Sequence, residues 1–115
     1  MGKVANILFP ADYFDKKQPD GAMRAEYESA CADARLGVGL FDLESFEERG
    51  ELVITRPFLD DSLPLLYRGW MMKPEAYAAF FDALRAAGLQ PMTHPAAYEE
   101  FHMFPLAYAR HTVLE

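Results

Sequence analysis

Apolar residues fall along this chain in two alternating rhythms. Short runs at residues 4–9, 38–41 and 65–67 suit strands buried on both faces. Between them the spacing turns helical. Met23, Tyr27, Ala30, Cys31 and Ala34 make one apolar stripe. Tyr77, Phe80, Phe81 and Leu84 make a second and cleaner one. Punctuation agrees with both rhythms. Pro10 ends the first strand, Asp20 can cap the first helix, and Gly37 is placed to close it in a left-handed conformation. Gly50 makes a turn before Leu52, Val53 and Ile54, which read as an edge strand because Pro57 follows. Pro74 opens the second long helix and Gly88 closes it. Residues 89–92 read as a short strand, and Thr93 or His94 then caps a last helix with Pro95 at its first position. Tyr98, Phe101 and Met103 are expected to face inward from it.

Alternating strands and helices predict one α/β domain over residues 1–115, a three-layer Rossmann-like unit with a small, mostly parallel sheet. Right-handed crossovers put the strand-to-helix loops on one edge. Those loops, residues 10–20, 68–73 and 93–95, would bring together Asp12, Lys16, Lys17, Asp20, Arg68, Trp70 and His94. No repeat or low-complexity stretch interrupts this order.

Composition narrows the function classes. The formal net charge is -7, which argues against a general nucleic-acid or anionic-membrane surface. No apolar run approaches the roughly 20 residues of a membrane span. Residues 1–9 lack the regions of a signal peptide, so a cytoplasmic location is expected. Cys31 is the one cysteine, which leaves no disulfide framework; it is expected to pack in the core. Glu44, Glu47 and Glu48 read as a solvated face rather than a metal site.

The richest segment is Leu65-Leu66-Tyr67-Arg68-Gly69-Trp70-Met71-Met72-Lys73-Pro74, a strand, a sharp turn and a helix start. In open α/β sheets ligands bind beyond the carboxyl ends of the strands. The planar guanidinium of Arg68 suits a carboxylate or phosphate there, or a salt bridge to Asp12, Asp20 or Asp42. Trp70 can stack on a planar ligand or cover the core. His94 is a helix cap or a minor ligand contact, and its spacing from His102 is too long for a shared metal. Lys16 and Lys17 can meet an anion or simply stay solvated. No G-x-G-x-x-G or Walker-type loop follows the first strand, and no nucleophile elbow surrounds Ser29, Ser45 or Ser62.

As an ordered set these pieces resemble the N-terminal, pre-ATP-grasp domain of a bacterial and phage family of ATP-grasp domain-containing proteins. The resemblance runs through Lys17-Gln18-Pro19-Asp20, Leu40-Phe41-Asp42 and Gly50-Glu51-Leu52. Its most specific block is Tyr67-Arg68-Gly69-Trp70-Met71 before Pro74-Glu75-x-Tyr77. It ends in Thr93-His94-Pro95-x-x-Tyr98, Phe101-His102 and Pro105. The resemblance implies a substrate-side domain of a ligase-like protein, with ATP and Mg²⁺ held by a separate core. That core's lysines, metal-binding carboxylates and glycine-rich loop are absent from these residues. The expectation is therefore the N-terminal part of a longer protein, with no catalytic residue, metal or cofactor site of its own. Arg68, Trp70, Tyr67, Asp20, Lys17 and His94 would face a small-molecule or peptide-like substrate. The competing expectation is a free-standing binding module that dimerises through the apolar stretch Phe101, Met103, Phe104, Leu106 and Tyr108.

Overall fold

The computed structural model describes residues 2–96. Five strands form one sheet: β1 (Ala5–Pro10), β2 (Leu36–Phe41), β3 (Ile54–Arg56), β4 (Pro64–Tyr67) and β5 (Gln90–Pro91). Their spatial order is β3-β2-β1-β4-β5, parallel except for β3, which runs antiparallel to β2 at one edge. A one-turn 3₁₀ helix (Gly21–Met23) leads into α1 (Arg24–Ala32). Helices α2 (Leu43–Arg49) and α3 (Pro74–Ala86) follow. The small Rossmann-like α/β domain read from the sequence is the fold observed.

From β1 the chain steps to β2 on one side, and from β4 it steps to β5 on the other. Right-handed crossovers therefore leave on opposite faces. On one face Met23 of the 3₁₀ helix and Tyr27 and Ala30 of α1 pack against Phe9, Val38 and Leu40. On the other, α3 packs Tyr77, Phe80, Phe81 and Leu84 against Leu8, Phe41 and Leu65, joined by Leu43 and Phe46 of α2. Phe80 is fully buried and meets the rings of Phe41, Phe46 and Tyr67 at centroid distances of 5.0–5.3 Å. The strand order reverses between β1 and β4, which makes that boundary the topological switch point.

Three sequence expectations need correction. Gly37 does not close α1, which stops at Ala32 with Asp33 as its cap. Gly37 lies inside β2, where a Cβ would stand 2.2 Å from Asn6 Oδ1; close approach across the sheet, not a left-handed backbone, calls for glycine there. Ala34 consequently falls in the turn before β2. Cys31 is exposed rather than packed in the core, because α1 buries a narrower stripe centred on Ala30. Its Sγ lies 3.5 Å from Arg56 Nη1. The third strand is shifted to Ile54–Arg56, although it is the edge strand expected. The acidic stretch after β2 is a helix, α2, capped by Asp42 and closed by Gly50 at φ 68°. Glu47 and Glu48 form its solvated face. The inward positions expected at Tyr98, Phe101 and Met103, and the apolar stretch through Tyr108, lie outside the described residues.

Candidate functional site

The crevice at the switch point is built by two loops. The first, after β1, folds back on itself. The Asp12 N–H donates to Gln18 O at 2.7 Å and the Asp20 N–H to Pro10 O at 2.9 Å. The carboxylate of Asp12 accepts from the amides of Phe14 and Asp15, and that of Asp15 from the amide of Lys17. These carboxylates occupy the loop amides, and Asp20 Oδ1 accepts from Ala22 N at the start of the next helix. A dinucleotide phosphate needs such amides open and glycine beside them. The loop offers neither. Among the described residues no group of three metal-ligating side chains exists.

The second loop follows β4. The Arg68 N–H donates to Leu8 O at 2.9 Å and so extends the β1–β4 ladder by one bond. Arg68 then leaves on the α1 side of the sheet. Its guanidinium binds Glu26 of α1 through two bonds, Nε to Oε2 and Nη2 to Oε1, the latter at 2.9 Å. The bonds from Arg68 hold the Glu26 carboxyl below its ordinary range, and Glu26 in turn raises the guanidinium's pKa. Tyr67 points the other way: its ring packs on Phe41 and Phe80, and its hydroxyl donates to Trp70 O. Trp70 is half exposed at the rim, and its indole N–H donates to Asp20 Oδ2 at 3.2 Å, joining the two loops.

The structure thus gathers Asp20, Tyr67, Arg68 and Trp70 around one turn. Lys17 is exposed on the first loop and makes no ion pair among the described residues. Lys16 turns toward the start of α2, paired with Asp42 at 3.0 Å and with Glu44. His94 belongs to the opposite face. Its ring lies on Phe81 and its Nδ1 accepts from Ala96 N, so it is the cap that the sequence placed at Thr93 or His94. The ion-pair partner expected for Arg68 was Asp12, Asp20 or Asp42; it is Glu26. Nothing in the sequence marks Glu26, which sits on the polar side of α1.

Below Arg68 an open groove of about 710 Å³ runs between α1 and β4. Ile7, Phe9, Leu36 and Leu66 line its apolar part, and Glu26, Ser29, Asp33 and Arg68 its polar part. Among the described residues no helix is long and apolar enough to cross a membrane. Comparison with protein-family models, curated proteins and solved structures finds no match.

Proposed function

We propose that this domain binds a small anionic ligand at the β1/β4 switch point, with Arg68 as the anion-holding group. On this reading it is the substrate-side N-terminal domain of an ATP-grasp ligase-like protein. One observation carries it: Arg68 emerges at the carboxyl end of β4, exposed, where the two crossovers depart to opposite faces. The ordered motif around Tyr67-Arg68-Gly69-Trp70-Met71 supports the finer family assignment. The role is binding and orientation. Arg68 would fix the anion, Trp70 would border it, and Tyr67 and Asp20 would hold the turn that presents both. ATP and Mg²⁺ would belong to a separate core. An exposed thiol at Cys31 with no disulfide partner suits the reducing cytoplasm.

The test is made on the protein isolated from its native cell. Its intact mass is measured first, then its substrate-dependent ATP consumption with Arg68→Ala. A product much heavier than 13.0 kDa and a kcat/KM lowered about tenfold or more, with an unchanged melting curve, are expected. Unchanged kinetics would remove Arg68 from the site. A native product near 13.0 kDa that sediments as a dimer would favour the self-associating module instead.

A further inference from the structure

The groove beneath Arg68 has a chemistry of its own. We propose that it takes a molecule with an apolar body and one terminal carboxylate, and that Glu26 holds the carboxylate's place on Arg68 until that molecule displaces it. The inference rests on the reading of Arg68 as a ligand-binding group.

Three observations converge. The first is size and lining. A volume of about 710 Å³ falls in the range of small-molecule sites, and its floor is Ile7, Phe9 and Leu66. Leu66 is 42% exposed although it sits on β4 between β1 and β5, so this part of the sheet lacks an apolar cover among the described residues. The second is the head-group position. Arg68 presents two N–H donors side by side to a planar carboxylate, the arrangement an acid ligand would use. The third is the partner now in that position. Glu26 and Arg68 are both well exposed, with side chains 47% and 60% accessible. Exposed ion pairs are weak, and a displaced Glu26 returns to water at small cost. A ligand carboxylate attached to a body buried on Leu66 and Ile7 gains the apolar contact that Glu26 cannot make.

The other acid along the groove is already neutralised by a partner. Asp33 is engaged by Arg35 through Nε and Nη2. Ser29 is neutral. Among the lining residues described, Arg68 is the cation.

The probe is octanoate, kept below its micellar concentration and titrated calorimetrically into the 115-residue chain, with acetate and octylammonium alongside. Saturable one-site binding of octanoate is expected, with amide shifts at Ile7, Ser29, Leu66 and Arg68. Arg68→Ala should weaken it about tenfold or more, and Leu66→Ser should weaken octanoate while leaving acetate unchanged. Glu26→Gln should tighten octanoate by about two- to fivefold, and Glu26→Ala should do the same. Octanoate binding that depends on Arg68 but is not tightened by either Glu26 variant overturns the place-holder role and leaves Arg68 as the anion group. Equal binding of octylammonium, or no octanoate binding to wild type or to Glu26→Gln, overturns the ligand class. Octanoate binding untouched by Arg68→Ala overturns the proposal together with the reading of Arg68 beneath it.

Discussion

The hydroxyl of Tyr67 donates to the main-chain carbonyl of Trp70 across 2.7 Å, with Gly69 folded tightly beneath it. A Cβ at residue 69 would stand 2.6 Å from that hydroxyl oxygen and 2.8 Å from Pro10 Cδ. The turn that presents Arg68 and Trp70 is thus held between a core tyrosine and the end of β1. Gly69→Ala should cost about 1–3 kcal/mol through overpacking, read as a lower urea midpoint. Tyr67→Phe keeps the ring and loses the bond to Trp70. It should cost about 0.5–1.5 kcal/mol and red-shift the emission of Trp70, the one tryptophan.

Phe80 stands where the α3-side core is densest, against Phe41, Phe46, Tyr67 and Tyr77. Phe80→Ala should destabilise the domain by about 3–5 kcal/mol, a large share of the roughly 5–15 kcal/mol typical of a folded domain. Chemical denaturation should show a much lower urea midpoint. Phe80→Leu should recover part of that loss.

Asp42 caps α2 by accepting from Ser45 N at 3.1 Å and from Ser45 Oγ at 2.9 Å, and it also meets Lys16. Asp42→Ala should cost about 0.5–2 kcal/mol. Partial burial alone would raise the Asp42 pKa, but the bonds from Ser45 and Lys16 outweigh it and leave it below 3.8. A carboxylate depressed in the folded state contributes stability that is complete above its unfolded pKa. That contribution is lost as pH falls through the folded value. Urea midpoints should therefore decline below about pH 4 in the wild type. In Asp42→Asn this part of the decline should be absent.

Asp33 offers a direct titration. Its side-chain bonds from Arg35, reinforced by the Arg35 amide, bring its carboxyl down to about 2. Carboxyl-carbon NMR should show Asp33 still ionised at pH 3, and Arg35→Gln should return it toward 3.8. The pair is exposed, so the change in overall stability should be slight.

What the sequence disclosed follows local physics. Pro74, the stripe through Leu84 and the left-handed Gly88 define α3 without tertiary help. The runs at β1 and β2 are legible because strands buried on both faces are continuously apolar; the run at β4 is apolar too, but it is covered on one face only, with Leu66 42% exposed. Arg68 and Trp70 were legible as residues of a β–α turn at the carboxyl edge. Glu26 was not, because 42 residues separate it from Arg68 and its own helix marks it only as solvent-facing. Gly37 misled because a glycine after a helical stripe reads as a cap. Its true reason, Asn6 on the neighbouring strand, is a contact between distant parts of the chain. Asp42 as the cap of α2 was hidden because the acidic residues after it read only as a solvated face, with no apolar stripe to mark a helix.

The central place of β1 dictates an order of assembly. Its two neighbours are β2 and β4, and Leu8 meets Tyr67 only after the intervening residues have been laid down. On the ribosome, β1 emerges first and must keep one apolar edge unpaired until β4 follows. Among the described strands, β2 and β3 alone can zip as a local antiparallel pair. Parallel ladders of this span close slowly, since loop entropy is lost before the contacts repay it. The nascent chain should therefore lean on chaperones until Tyr67 has left the exit tunnel, and a synthesis pause placed before β4 should lower the soluble yield.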